Sequence, residues 1–205
     1  MRGIFITFEG GDGSGKTSQI NLLRQYFIEK GKEVIITREP GGTQISETIR
    51  NIILDINNKE MSDLTEALLY AAARAQHVQE IIQPAIEAGK VIICDRFVDS
   101  SVVYQGYARN IGIEKITEIN HIATNGLTPD KTFYLDLEAS IGLSRKKNQT
   151  DLDRLEVEKL EFHERVIEGY RTLAKKYEDR IIKIDATLSV EEIHEIVVRN
   201  LREIE

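Results

Sequence analysis

Residues Gly10-Gly11-Asp12-Gly13-Ser14-Gly15-Lys16-Thr17 spell G-x-x-x-x-G-K-[ST]. They follow the apolar run Ile4-Phe5-Ile6-Thr7-Phe8 and precede Ile20, Leu22, Leu23, Tyr26 and Phe27, which are spaced as on a helix. This is the strand-loop-helix context that a phosphate-binding P-loop requires. Glycines let successive backbone N–H groups converge on a polyphosphate, and the helix N-terminus that follows favours negative charge. Lys16 is placed to reach the outer phosphates and the Thr17 hydroxyl to ligate Mg²⁺. Residues 10 to 17 are therefore expected to bind a nucleoside triphosphate. A chance glycine-rich turn would not carry both flanks.

Outward from this loop, short β-rich runs alternate with longer helical patterns. Residues 3–8, 33–37, 91–94, 132–137 and 181–184 read as strands whose apolar content is nearly continuous, as in strands covered on both faces. Helices are expected over 16–30, 43–55, 62–88, 113–123, 139–147, 155–177 and 189–203, with further helix near 100–123. The spacing predicts an α/β fold with a five-stranded parallel sheet flanked by helices. No linker or repeat divides residues 1–205, so one domain is expected. The polar, charged stretch 144–154 reads as a mobile flap.

A formal net charge of −7 with both signs mixed throughout offers no electropositive face for nucleic acid. No apolar stretch approaches the roughly 20 residues that span a bilayer, and the first residues do not read as an export leader. A cytoplasmic protein is expected, with no membrane or nucleic-acid partner. The single cysteine, Cys94, lies in Val91-Ile92-Ile93-Cys94 and reads as a buried strand residue, not a catalytic thiol.

Ligands of open α/β sheets gather at the carboxyl ends of strands. After the second strand comes Arg38-Glu39-Pro40-Gly41-Gly42-Thr43 and after the third Asp95-Arg96-Phe97, two charged loops that suggest a second ligand beside the P-loop. Asp95 is placed as a Walker B carboxylate that holds Mg²⁺ directly or through water. Asp136 competes for that role; Asp95 is preferred because Arg96 supplies an adjacent cation. Tyr70 and Arg74 are four apart on one helix face. Periodicity alone reads them first as a core tyrosine with a snorkelling arginine, and second as a stacking plane and a donor for a nucleobase. None of the four histidines has a metal-spaced companion, and none is assigned a catalytic role.

The segment Ile93-Cys94-Asp95-Arg96-Phe97-Val98-Asp99-Ser100-Ser101-Val102-Val103-Tyr104-Gln105 resembles the signature of the thymidylate kinase family. Phe8-Glu9-Gly10, the 38–43 loop, the Tyr70 to His77 helix and Leu152-Asp153-Arg154 resemble further motifs of that family in the right order. The resemblance implies a nucleoside monophosphate kinase-like P-loop fold with a small lid over ATP at 144–154. It implies Mg²⁺-dependent transfer of the ATP γ-phosphoryl group to dTMP by a homodimer. Asp12 would approach the acceptor 3′-hydroxyl, and Arg50 and Arg96 would hold the acceptor phosphate. Tyr70 would stack on thymine, Arg74 and Ser101 would bond its polar edge, and Tyr104 would crowd the 2′ position. Glu39, Pro40 and Gln105 would shape the pocket. Family members without an arginine in the P-loop carry catalytic cations in the lid. Gly13 stands where others have that arginine, so Arg145, Lys146, Lys147 and Arg154 are candidates. Relatives often have an arginine shortly before Leu-Asp-Arg, where Gln149 and Thr150 stand here; Ala73 replaces an acidic or amide residue.

An acceptor phosphate with a second pKa of about 6 is largely deprotonated at neutral pH, so no general base is needed. Catalysis then consists of positioning and charge neutralisation, by Lys16, Mg²⁺, Arg96 and lid cations. The rival within enzymes is a kinase for another nucleoside monophosphate or a deoxynucleoside. A P-loop switch is the rival outside them, and the guanine-reading Asn-Lys-x-Asp is absent from the sequence.

Overall fold

The computed structural model describes residues 2–146 and 153–202. Its centre is an all-parallel sheet of β1 (Ile4–Glu9), β2 (Val34–Arg38), β3 (Val91–Asp95), β4 (Lys131–Asp136) and β5 (Ile181–Asp185), in the order β2-β3-β1-β4-β5. Each strand lies within a residue of its expected bounds. In register, Thr7 of β1 pairs with Cys94 on one side and Thr132 on the other. The chain thus leaves the centre of the sheet at Glu9, where the connections diverge to the two sides. That is the crevice in which α/β sheets bind ligands.

Strand side chains alternate between faces, and both faces are covered, which is why the strands lack a polar phase. Ile6, Phe8, Phe133 and Ile184 pack against Leu23 and Phe27 of α1 (Lys16–Glu29) and against Ile193 and Val197 of α9 (Val190–Arg199). On the other face, Phe5, Ile92 and Cys94 meet Val78, Ile82 and Ile86. Tyr134 packs with Val103, Tyr104 and the α8 helix (Leu160–Lys176). Cys94 is fully buried, and its thiol donates to the Arg96 carbonyl at 3.0 Å.

Two helical expectations are revised. The stretch 62–88 is α3 (Asp63–His77), a π-helical segment Val78–Ile82, and α4 (Gln83–Glu87). Pro84 accounts for the interruption, because it lacks an N–H and its ring crowds the carbonyl four residues earlier. The helices expected near 100–123 are α5 (Val98–Ser101), which runs on as a π-helical segment Val102–Ala108, and α6 (Ile113–Thr124), which starts after Gly112 close to the expected 113. Val98, Val102 and Val103 blur the helical period there, and nearly every residue is buried. The helix expected from 155 begins only at Leu160, because Asp153 first closes a turn by accepting the backbone N–H groups of Leu155 and Glu156. The helices α2 (Gln44–Leu54) and α7 (Ala139–Lys146) fall close to expectation. Among the described residues no helix is long and apolar enough to cross a membrane.

Candidate active site

One cavity of about 480 Å³ opens at the carboxyl ends of β1, β2 and β3. One wall is the P-loop. Gly13 has φ +71°, and a Cβ there would lie 2.5 Å from the carbonyl oxygen of Gly142 in α7. Conformation and space therefore both demand glycine. Lys16 folds back to donate to the carbonyls of Gly10 and Gly11, each at 3.1 Å. Burial, and then the nearby Arg96 guanidinium, push the Lys16 ammonium down to about 8, against the opposing pull of Asp95, Asp12 and Glu9.

Two polar atoms of this wall are buried with no partner among the described residues, Ser14 Oγ and Asp95 Oδ1. An orphaned carboxylate oxygen at a strand end, with Thr17 on the same cavity wall, suits a hydrated cation that takes its other ligands from phosphates. No cluster of three or more His, Cys, Asp or Glu that could hold a metal occurs among the described residues, so such a cation would depend on its nucleotide. Asp136 is otherwise engaged. It accepts from the Tyr134 hydroxyl at 2.8 Å and from Arg171 Nε at 3.0 and 3.1 Å, and it does not line the cavity.

Between the P-loop and the rest of the cavity stands Arg96, in a left-handed conformation at φ 70°. Nη2 donates to Asp12 Oδ1 at 2.9 Å and Nη1 to the Gly10 carbonyl at 2.8 Å. Glu9, at the end of β1, pins this bend from below. It accepts the backbone N–H of Phe97 at 2.7 Å on one oxygen, and Ser100 Oγ at 2.5 Å and the Tyr170 hydroxyl at 2.8 Å on the other. Burial, followed by the Asp99 charge, raises the Glu9 carboxyl to about 7. A buried carboxyl so raised stabilises the fold least when ionised, so this contribution weakens as pH rises from 4.5 to about 7.

The opposite wall is built from side chains far apart in sequence. Arg74 is 2 % exposed, yet it lines the cavity. Its Nε donates to Glu39 at 2.6 Å, Nη1 to Ser101 at 3.0 Å and to Asn120 Oδ1, and Nη2 to the Phe97 carbonyl at 3.1 Å. The other Glu39 oxygen bonds His77 Nδ1 at 2.9 Å, and His77 Nε2 meets Thr37 Oγ1 at 2.7 Å. Glu39 thus braces Arg74, and His77 is structural. Arg50 donates to the Pro40 carbonyl at 2.7 Å and reaches the cavity with Pro40, Tyr70 and Tyr104. Burial drives the Tyr70 and Tyr104 phenols above their ordinary range, keeping both neutral. The Arg96 guanidinium carbon sits 5.5 Å from the Tyr104 ring centre.

Of the residues singled out from sequence, those of the P-loop from Asp12 to Thr17 line this cavity with Glu39, Pro40, Arg50, Tyr70, Arg74, Asp95, Arg96, Ser101, Tyr104, Gln105 and Arg145. Arg145 donates to the Gly13 carbonyl at 3.0 Å. Lys147 lies outside the described residues, as do Gln149 and Thr150. Arg154 is not on the cavity wall. Its Nε donates to the Ile53 carbonyl at 2.9 Å and its Nη2 to Glu66 at 2.5 Å, so it fastens the 153–156 turn to α2 and α3. Sequence reasoning passed over Arg38, Ser100, Asp153 and Glu156, all on the lining. Arg38 could have been read as readily as Arg96, since each is a cation at a strand end; the other three carry no spacing signal.

The family model described as "Thymidylate kinase" matches residues 8–197. A thymidylate kinase of Geobacillus sp. (strain WCH70) is 51% identical over 97% of this chain and 95% of its own length. That of Latilactobacillus sakei subsp. sakei (strain 23K) is 53% identical over 94% of this chain and 92% of its own. Among solved structures, thymidylate kinase from Ehrlichia chaffeensis superposes with a TM-score of 0.79 at 34% identity, covering 98% of this chain and all of that one.

Proposed function

The chain belongs to the thymidylate kinase family, and from that premise we propose how its cavity performs the reaction of that family. It transfers the γ-phosphoryl group of ATP to dTMP, giving dTDP. The observation that carries the reading is the continuity of the cavity: the P-loop and a base-sized acceptor wall share it, with Arg96 at their junction.

The dTMP phosphate meets the γ-phosphate beside Arg96, with Arg38 and Arg50 on the acceptor flank. Its attacking oxygen is already deprotonated, so the protein's task is to hold two anions in line and offset their repulsion. Lys16 leaves the loop carbonyls for the β- and γ-phosphates, and Arg145 lies one helical turn from the P-loop contact on the lid side. Thr17 and Asp95 would hold Mg²⁺, which would supply further neutralisation of phosphate charge. Asp12 approaches the 3′-hydroxyl while tethering Arg96. Tyr70 stacks on the base and Tyr104 crowds the 2′ position, favouring deoxyribose. Closure of the lid over 144–154 excludes water, which would otherwise take the γ-phosphoryl group.

The enzyme works as a cytoplasmic homodimer. Ile45 and Ile52 of α2, Leu64 and Leu68 of α3 and Ile122 of α6 expose apolar side chains, and Ile122 is 80 % exposed. Such a surface suits burial against a second copy. Light scattering checks the mass. For the reaction, the test is ADP formation with dTMP, dUMP, dCMP and thymidine side by side. ADP stoichiometric with dTMP consumed is the expected result; a preference for another acceptor selects the rival kinase, and turnover without any acceptor selects a switch.

A further inference from the structure

Glu66 of α3 is fully buried behind the cavity wall and does not itself line the cavity. Its carboxylate ends among three donors: Gln105 Nε2 at 2.8 Å on Oε1, and Arg154 Nη2 at 2.5 Å and Arg109 Nη2 at 3.4 Å on Oε2. A carboxylate without a proton can only accept. The amide of Gln105 must therefore turn its NH₂ back toward Glu66 and its carbonyl oxygen the other way. Gln105 lines the cavity, and its Oε1 takes no hydrogen bond from the described residues. Arg74 on the same wall has four of its five N–H groups committed, to Glu39, Ser101, Asn120 and the Phe97 carbonyl.

The wall thus presents an open acceptor on Gln105 and an open donor on Arg74. A thymine or uracil edge presents N3–H beside a C4 carbonyl, which is the complement. Cytosine presents a bare N3 beside an amino group, which opposes both. We infer that Glu66 sets the pyrimidine preference of this cavity by fixing the direction of the Gln105 amide. Glu66 is a positioning residue, since it acts through Gln105. The inference rests on the reaction read above, dTMP phosphorylation.

Glu66→Gln discriminates sharply because it keeps size and shape. The variant has a single oxygen, and two guanidinium groups claim it, so its NH₂ is left facing Gln105. Gln105 must then reverse, turning its own NH₂ toward the base. The expected result is a drop in kcat/KM for dTMP of about 10–100-fold, the cost of a buried donor set against a donor. The dTMP-to-dCMP ratio narrows by about tenfold or more, while ATP binding stays close to the parent's and the melting temperature falls, because Arg109 and Arg154 lose their buried carboxylate. In a Gln105→Leu background, which has no amide to turn, Glu66→Gln leaves the ratio where Gln105→Leu put it. A ratio unchanged by Glu66→Gln alone, or shifted equally in the Gln105→Leu background, overturns the inference. Should Glu66→Gln fail to fold, the parent enzyme decides the matter with N3-methyl dTMP, whose missing N–H should slow turnover by about 10-fold or more; turnover equal to that of dTMP overturns it. Failure of the parent enzyme to phosphorylate dTMP would instead strike the reaction assigned above.

Discussion

The two walls of the cavity are opposites in how their polar atoms are spent. On the donor side the groups are waiting: Lys16 is parked on loop carbonyls, and Ser14 Oγ and Asp95 Oδ1 have no partner among the described residues. On the acceptor side nearly everything is already tied. Arg74 is braced by Glu39, Ser101, Asn120 and Phe97, and Glu39 in turn by His77. A polyphosphate is charged and can be gathered by backbone amides and a mobile ammonium. A base must be told from close relatives, and this needs donors and acceptors whose directions are fixed beforehand. One wall works by charge and the other by rigidity.

The sharpest way to break that contrast is at the junction. Arg96→Ala should lower turnover by about 10³-fold or more, as for other phosphoryl-transfer arginines, with the circular dichroism spectrum preserved; a steady-state assay reads it, and unimpaired turnover would remove Arg96 from the chemistry. Next in size is the rigid wall. Arg74→Ala leaves Glu39 buried without its main partner, which should cost about 3–5 kcal/mol of stability, read as a lower denaturation midpoint; a midpoint near the parent's would mean that the wall is not braced as described.

On the waiting wall the expected effects are those of charge. With Lys16 held near 8, kcat/KM for ATP should fall roughly tenfold per pH unit above that value, as the free enzyme loses its ammonium. The stability sign is opposite: between about 8 and 10.5 the unfolded chain binds more protons at this lysine, so the Lys16 contribution to stability rises with pH. A pH profile of activity that breaks only above 10 would contradict the depressed lysine. The smallest effect belongs to Asp136, tied to Tyr134 and Arg171 away from the cavity. Asp136→Asn should alter kcat and its magnesium dependence by less than about twofold, whereas Asp95→Asn should raise the magnesium requirement by about tenfold or more; equal effects in a magnesium titration would undo the choice between them.

The same contrast explains what could be read from the chain before its structure. Residues 10 to 17 are contiguous, and their chemistry depends on backbone conformation that glycine spacing announces. The five strands were equally legible, since two covered faces leave unbroken apolar runs. The acceptor wall draws on Glu39, Arg74, Phe97, Ser101 and Asn120 from five separate elements or loops. Periodicity read Arg74 first as a snorkelling charge and only second as a base reader, and the family resemblance, not spacing, singled it out. Arg154 shows the reverse. As a cation in the lid segment it reads as catalytic, but the carbonyl of Ile53 and the carboxylate of Glu66 hold it off the wall. Glu66 gave no signal at all, because an acidic residue in a helix first turn reads as ordinary dipole compensation.

Gly13 and Gly142 meet backbone to backbone: a Cβ on the first would lie 2.5 Å from the carbonyl of the second, and one on the second 2.3 Å from the carbonyl of Asp12. No side chain of any length can be inserted at either position while its counterpart stays in place. An arginine at position 13 would therefore force α7 to withdraw from the loop. A side chain growing from the loop and the helix that carries Arg145 compete for one volume, so only one of the two can occupy it.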